Sequence, residues 1–209
     1  MQFSADFAAQ FESLLRWRRD VRHFRKEPVP EDLLQHLFGL MCLAPSVGLS
    51  QPWRLVRVVA AERRLAVREI YARCNAAALA SQSEHKAALY ARLKLAGLDD
   101  APVQLAVFSE TAPSQGSGLG RATMPEAVHY SVVTAVHTLW LCARVHGVGV
   151  GWVSILDPEA VKSALDVPES WQLIAYLCVG YPATDEEEPL LQRVGWEQRA
   201  DPSAFLYSR

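Results

Sequence analysis

The sequence has few cysteines and no recognisable spacing of metal ligands. Its 209 residues include only four cysteines, each among apolar neighbours: Cys42, Cys74, Cys142 and Cys178. No C-x-x-C pair occurs, and the six histidines show no H-E-x-x-H or similar spacing. We therefore expect buried, reduced thiols, and the sequence predicts no metal site.

Long runs of one charge and long apolar runs are also missing. The formal net charge is −2 without an extended basic stretch, which argues against a nucleic-acid-binding protein. The most apolar stretch, 132–145, is interrupted by His137 and Arg144 and is too short to span a membrane. The opening MQFSADFAAQ lacks the pattern of a signal peptide. We therefore expect a cytoplasmic protein that binds neither nucleic acid nor membrane.

What the sequence has is a large apolar fraction, 50%, arranged at helical and strand-like spacings. These spacings predict helices at 5–17, near 31–43, over 61–94 in two pieces, at about 126–146 and near 158–165. They predict strands at 54–60, 103–108, 149–155 and 173–179. Strands interspersed with longer helices indicate one layered domain over 1–209, either α+β or α/β, and the pattern leaves the strand order open.

The stretch R-R-D-V-R, residues 18–22, places three arginines around Asp20 where the first helix should end. Guanidinium groups suit phosphate oxygens, and Arg18 and Arg22 would share one face if the helix continued. An anionic ligand is one interpretation, and a solvated helix end with local Arg–Asp pairs is the other. The carboxylate of Asp20 opposes anion binding, which suggests a second role for it.

Two loops are rich in Gly, Ser and Pro. The first, A-P-S-V-G-L-S-Q-P-W at 44–53, offers hydroxyl and amide groups, with Gly48 permitting close backbone approach to a ligand. An ordinary turn between helix and strand is the alternative. The second, 111–125, is long enough for a functional role to be expected. The glycines at 147–151 read G-x-G-x-G, which is not the dinucleotide-binding motif G-x-G-x-x-G.

Taken in series, these segments resemble the flavin-binding nitroreductase-like family. Its two signatures are R-R-x-V-R-x-F at 18–24 and A-P-S-x-x-x-x-Q-P-W at 44–53, in the family's order and spacing. Further matching stretches are L-K-L-A-G at 93–97, G-S-G-L-G-R at 116–121, G-W-V-S-I-L at 151–156 and Y-L-C-V-G-Y-P at 176–182. The resemblance implies an α+β fold with a central, mostly antiparallel sheet flanked by helices. It also implies an intertwined homodimer with two FMN sites at the subunit interface.

The resemblance further implies roles for single residues. The three arginines of 18–22, with Arg199, would hold the FMN phosphate and ribityl chain or the flavin's polar edge. Asp20 would transfer a proton near the ribityl chain, and Ser154 would hydrogen-bond the flavin edge. The segment 81–102 would form a lid, and the tail 185–209 would dock on the partner subunit. The complete set of implied FMN-binding residues, with the 45–51 loop residues coming from the other subunit, is Arg18, Arg19, Asp20, Val21, Arg22, Pro45, Ser46, Gln51, Leu93, Lys94, Ser154 and Arg199.

Within the family, the similarity is greatest to members for which reduced FMN is a substrate. With O2 and without a metal, such members would convert it to 5,6-dimethylbenzimidazole, the lower ligand of vitamin B12, and erythrose 4-phosphate. A separate flavin reductase would supply the reduced FMN. The alternatives are an NAD(P)H-dependent nitroreductase or flavin reductase, in which FMN stays bound, and a flavin-storage module. Asp20 and the lid-like segment favour the first activity over the reductase.

Overall fold

The computed structural model describes residues 2–92 and 96–209, so that Leu93 and Lys94 of the implied flavin-binding set lie outside the described residues. The helices are α1 (Ala5–Trp17), α2 (Glu31–Met41), α3 (Ala61–Ala80), α4 (Glu84–Arg92), α5 (Gly97–Asp100), α6 (Ala127–Val145), α7 (Pro158–Leu165) and α8 (Leu190–Arg193). The strands are β1 (Trp53–Arg57), β2 (Val103–Glu110), β3 (Gly149–Val153) and β4 (Trp171–Gly180). Each helix and strand predicted from apolar spacing is confirmed, including the break between α3 and α4.

The four strands form one sheet in the order β1-β2-β4-β3, and every pair is antiparallel. The central strand β2 is buried along almost its full length and β4 over its last six residues, because helices cover both faces of the sheet. The α+β prediction with a central antiparallel sheet is therefore confirmed, and the α/β alternative, which needs parallel strands, is wrong.

Alternate residues of β2 and β4 enter two separate cores, as the two-residue period of a strand requires. One core packs Leu105 and Leu177 against α2 and α6, and the other packs Phe108 and Tyr176 against α3 and α7. A buried polar pair lies in the second core. The hydroxyl of Tyr176 donates to Gln104 Oε1 at 2.7 Å, and Gln104 Nε2 donates to the carbonyl of Leu98 at 2.9 Å. This chain of hydrogen bonds ties α5, in the expected lid region 81–102, to the sheet.

The cysteines differ in burial. All four are free, but only Cys178 is buried, while Cys42 is exposed and Cys74 and Cys142 are half-buried. The expectation of buried thiols is therefore right only for Cys178. Burial raises the pKa of the Cys178 thiol to about 12. No helix of the described ranges is long and apolar enough to cross a membrane.

Candidate active site

The R-R-D-V-R stretch is extended rather than helical. Helix α1 ends at Trp17, and the amide of Arg18, which has an extended conformation, donates to the carbonyl of Leu14 at 2.9 Å. The helical arrangement considered for Arg18 and Arg22 is therefore wrong. Side chains of an extended segment alternate, so Arg18, Asp20 and Arg22 lie on one side, with Arg22 Nε 3.6 Å from Asp20 Oδ2.

This segment lies along the edge strand β3. Asp20 forms a bridge with Val150, and the amide of Val21 donates to the carbonyl of Val150 at 3.1 Å. The amide of Trp152 donates to Asp20 Oδ1 at 2.8 Å. The edge of the sheet therefore fixes both the backbone beside Asp20 and one oxygen of its carboxylate.

The glycines of β3 make this close approach possible. A Cβ on Gly151 would lie 2.1 Å from the carbonyl oxygen of Val21, and one on Gly149 would lie 2.7 Å from Cγ2 of Val21. Both distances are far below van der Waals contact. The last two glycines of the G-x-G-x-G pattern thus serve the packing of residues 20–22 against the sheet, whereas a Cβ on Gly147 would meet no atom within 4 Å.

A cavity of about 350 Å³ opens beside the segment. Its walls come from residues 17–23, from Trp140 and Arg144 of α6, from 148–149, and from the chain between 182 and 199. Small-molecule sites commonly have volumes of about 300 to 1,000 Å³. Six residues of the implied flavin-binding set line it, namely Arg18, Arg19, Asp20, Val21, Arg22 and Arg199.

Like charges crowd this cavity. Burial lowers the pKa of Arg18, and the charge of Arg199 lowers it further, while Asp20 opposes the change. Burial also lowers the pKa of Arg19, as do the charges of Arg18, Arg199 and Arg144. Guanidinium groups nevertheless stay protonated at neutral pH. A bound anion would relieve their mutual repulsion, so the electrostatics favour a phosphate or carboxylate here.

Asp20 has an environment that opposes its ionisation. The pKa of Asp20 is raised because the surrounding protein removes water from the carboxylate, although its side chain is still 39% exposed to the cavity. The hydrogen bond from the Trp152 amide and the charges of Arg22 and Arg18 act in the opposite direction. The carboxylate therefore faces the cavity with a greater affinity for a proton than an aspartate in water.

The acidic tail segment lies against the chain's own arginines. Arg19 Nε donates to the carbonyl of Glu187 at 2.9 Å, and Arg144 pairs with Asp185 at 2.9 Å. Residues 185–199 therefore border this chain's cavity. The end of the tail, by contrast, exposes its apolar side chains Phe205, Leu206 and Tyr207. Docking of the tail on a partner subunit stays a prediction.

The loop 44–53 lies elsewhere on the chain. The carbonyl of Pro45 accepts from Thr134 Oγ1 at 3.1 Å, and Ser46 Oγ accepts from the amide of Gln51 at 3.1 Å. Helix α6 rises about 1.5 Å per residue, so Thr134 is about 9 Å along the helix from Trp140 and about 15 Å from Arg144, both of which lie in the cavity wall. Within one chain, Pro45, Ser46 and Gln51 do not line the cavity with the arginines.

Two further predicted features are not part of the cavity wall. Ser154 is exposed and follows β3, two residues after Trp152. Helix α4, in the expected lid, packs against α3 through the hydrogen bond from the Tyr90 hydroxyl to Asn75 Oδ1 at 2.9 Å. Lys86 Nζ lies 5.0 Å from the ring centroid of Trp196, which is three residues before Arg199.

Sequence reasoning missed the contribution of α6. Trp140 and Arg144 both line the cavity, yet the stretch reads as a buried apolar helix. Their spacing of four residues places them on one helical face. The sequence signal for a site was therefore an aromatic and a cationic side chain that share one face of an otherwise apolar helix. Nothing in the local sequence indicated that this face meets residues 18–22.

Comparisons with known proteins agree with this architecture. The sequence model of the nitroreductase family matches residues 15–181. The chain is 55% identical over 197 residues to a 5,6-dimethylbenzimidazole synthase of Rhodospirillum rubrum, covering 94% of this chain and 93% of the relative. It is 44% identical to a protein of the same name from Rhodobacter capsulatus, covering 95% and 96%. Among solved structures, an iodotyrosine deiodinase bound to FMN and 3-iodo-L-tyrosine superposes with a TM-score of 0.74 at 24% identity, covering 95% of this chain and 97% of the other.

Proposed function

The chain belongs to the nitroreductase family, and we propose that it is a 5,6-dimethylbenzimidazole synthase. In this reaction, O2 and reduced FMN give 5,6-dimethylbenzimidazole and erythrose 4-phosphate, and the pyrimidine ring of the flavin leaves as a further fragment. The observation that carries the proposal is the near full-length similarity to relatives of that name, 55% identical in one case. The chain is therefore an oxidoreductase that acts on a flavin, and the nitroreductase activity is the less favoured alternative.

The residues of the cavity fit FMN. Its arginines repel one another and would be stabilised by a phosphate, and the indoles of Trp17 and Trp140 add apolar surface to the wall. We assign the phosphate and ribityl chain to Arg18, Arg19, Arg22 and Arg199. When bound, reduced FMN would supply the dimethylbenzene ring and the ribityl C1′ that become the benzimidazole, together with the electrons that reduce O2.

We assign to Asp20 the acceptance of a proton near the ribityl chain. The Trp152 amide occupies Oδ1, so the proton would go to Oδ2, which lies beside Arg22. Removal of water by the surrounding protein raises the pKa of Asp20, which makes the carboxylate a stronger base at neutral pH than an ordinary aspartate. Ser154 is assigned a hydrogen bond to the flavin edge.

The function is tested by mixing the protein with anaerobically reduced FMN, admitting O2 and separating the products. A benzimidazole peak supports the proposal, and recovery of unaltered oxidised FMN contradicts it. Rapid NAD(P)H oxidation with a nitroaromatic acceptor and intact flavin would instead indicate the reductase. Undiminished product in the presence of a metal chelator is expected for chemistry without a metal. A cytoplasmic location and a separate flavin reductase stay predictions from the sequence.

Replacing Arg18 by Met should weaken FMN binding by about tenfold to a hundredfold, because a charged hydrogen bond to phosphate contributes roughly 1.5–3 kcal/mol. Riboflavin, which has no phosphate, should lose little affinity. Arg25→Met is the matched control. Arg18 Cζ lies 4.8 Å from the ring centroid of Trp140 and Arg25 Cζ 5.0 Å from that of Tyr181, but Arg25 is outside the cavity wall. Equal losses for FMN and riboflavin in Arg18→Met, measured by titration, would contradict the phosphate assignment.

We further propose that two chains form a homodimer in which the loop 44–53 of one chain completes the cavity of the other. Within one chain, the loop 44–53 contacts α6 at Thr134 and contributes no residue to the cavity wall, to which α6 contributes Trp140 and Arg144. Helix α1 has no buried residue and exposes a stripe at Phe7, Phe11 and Leu15, which a second copy would cover.

The dimer predicts complementation between two variants that each alter one half of the shared site. Co-expressed Asp20→Asn and Gln51→Ala chains should recover activity, because a mixed dimer has one site with both changes and one site with neither. Random pairing places about a quarter of the wild-type number of intact sites in the mixture. Each variant alone serves as the control. Absence of recovery, or a monomer of 23.2 kDa in light scattering, would contradict the shared site.

A further inference from the structure

Trp140 contacts the arginine segment through two different groups. Its indole Nε1 donates to the carbonyl of Arg19 at 3.1 Å. The face of the same ring lies under the guanidinium of Arg18, with Cζ 4.8 Å from the ring centroid. Trp140 is half-buried on α6 and lines the cavity. One side chain therefore holds the two residues that precede Asp20, one by its backbone and the other by its side chain.

Asp20 is thereby held from both directions. The Arg19 carbonyl fixed by Trp140 belongs to the peptide bond that joins Arg19 to Asp20, so it sets the orientation of that peptide plane. On the far side, the Trp152 amide holds Asp20 Oδ1. The rings of Trp140 and Trp152 pack against each other with centroids 6.4 Å apart. Movement of the Trp140 indole would therefore shift the Asp20 carboxylate through the backbone.

We propose that Trp140 is a positioning residue for the proposed reaction: its N–H orients Asp20 through the Arg19 carbonyl, and its ring orients the Arg18 guanidinium toward the bound anion. The inference rests on the proposed function for the role of Asp20 and extends it to a residue on α6. The two contacts are separable, because phenylalanine keeps an aromatic face but has no N–H, and leucine has neither.

The experiment compares Trp140→Phe, Trp140→Leu and a matched control. In Trp140→Phe, kcat should fall by roughly tenfold or more with little change in the KM for reduced FMN, because Asp20 loses its alignment while Arg18 keeps its ring. In Trp140→Leu, the KM should rise as well. The control is Trp171→Phe, which also removes an indole donor, to Glu110 Oε2 at 3.0 Å, but lies outside the cavity wall. Circular dichroism melts measure the folded fraction of each variant.

Two outcomes would overturn the inference. The first is a Trp140→Phe variant whose kcat and KM, corrected for folded fraction, equal those of Trp171→Phe. The second concerns binding of oxidised FMN and riboflavin, which does not depend on turnover. Trp140→Leu should lose about ten times more affinity for FMN than for riboflavin, and equal losses would remove the role assigned through Arg18. If the wild-type chain makes no benzimidazole, the proposed function fails, while this binding comparison still tests Trp140.

Discussion

Asp20→Asn should abolish benzimidazole formation while leaving FMN bound, with product formation falling by about a hundredfold to ten-thousandfold. Asparagine keeps the oxygen that accepts the Trp152 amide and is nearly the same size, so the backbone along β3 stays in place. It cannot accept a proton at neutral pH. Loss of the negative charge should also strengthen anion binding among the arginines, so the affinity for FMN should be unchanged or higher. Product assays under O2 and FMN titrations measure the two quantities separately.

The matched control for Asp20 is Asp185→Asn. Asp185 also borders the cavity and also pairs with an arginine, Arg144, at 2.9 Å, but two-thirds of its side chain is exposed, 67%. It should retain most of the activity. A wild-type yield of benzimidazole from Asp20→Asn, or an equal loss in both variants, would exclude the assignment of Asp20 as the proton acceptor.

The pH dependence of turnover follows from the same carboxylate. Asp20 accepts a proton only when ionised, so kcat should fall as the pH is lowered through the pKa of Asp20. Removal of water raises that pKa, which places the acid limb above the range of an ordinary aspartate. The wild-type profile should show this limb, and any residual activity of Asp20→Asn should lack it.

The elements of the fold could be predicted because their signals are local. Apolar residues recur at fixed spacings within α6 and β2, and the bounds agree within a few residues. The antiparallel order of the strands could not be predicted from those spacings, since pairing such as Gln104 with Cys178 joins residues far apart in the chain. The family resemblance, and not periodicity, gave the antiparallel sheet.

In the candidate site, too, the local features could be predicted and the long-range contacts could not. The arginines and Asp20 were identifiable because they are adjacent in sequence and unusual in composition. Trp140 was not, because its role depends on α6 packing beside β3. The helical arrangement of residues 18–22 was wrong for a related reason. A hydrogen bond from the amide of Val21 to Val150, at the edge of the sheet, holds the segment in an extended conformation, and no local pattern reveals that contact. Long-range contacts therefore decide which of the polar side chains meet.

Gly151→Ala should separate the arginine segment from the sheet and lower both FMN affinity and product formation by about a hundredfold or more. The added Cβ would lie 2.1 Å from the carbonyl oxygen of Val21, a backbone atom that cannot rotate away like a side chain. Residues 20–22 would have to move outward by an ångström or more, and misplacement of that size costs on the order of a hundredfold in rate. This movement would also break the backbone β-bridge between Asp20 and Val150.

Gly39→Ala is the control that distinguishes this contact from the general effect of replacing glycine. Gly39 lies within α2, and a Cβ there would meet no atom within 4 Å. Alanine at that position should therefore stabilise the helix by roughly 0.5–1 kcal/mol and leave FMN binding unchanged. Thermal melts and FMN titrations of both variants measure the two effects. Val21 is only half-buried and packs against one of the two cores, the one that contains Phe108 and Tyr176, so Gly151→Ala should keep most of its sheet signal in circular dichroism while losing FMN. Wild-type FMN affinity in Gly151→Ala would mean that close packing of residues 20–22 on β3 is not what forms the site.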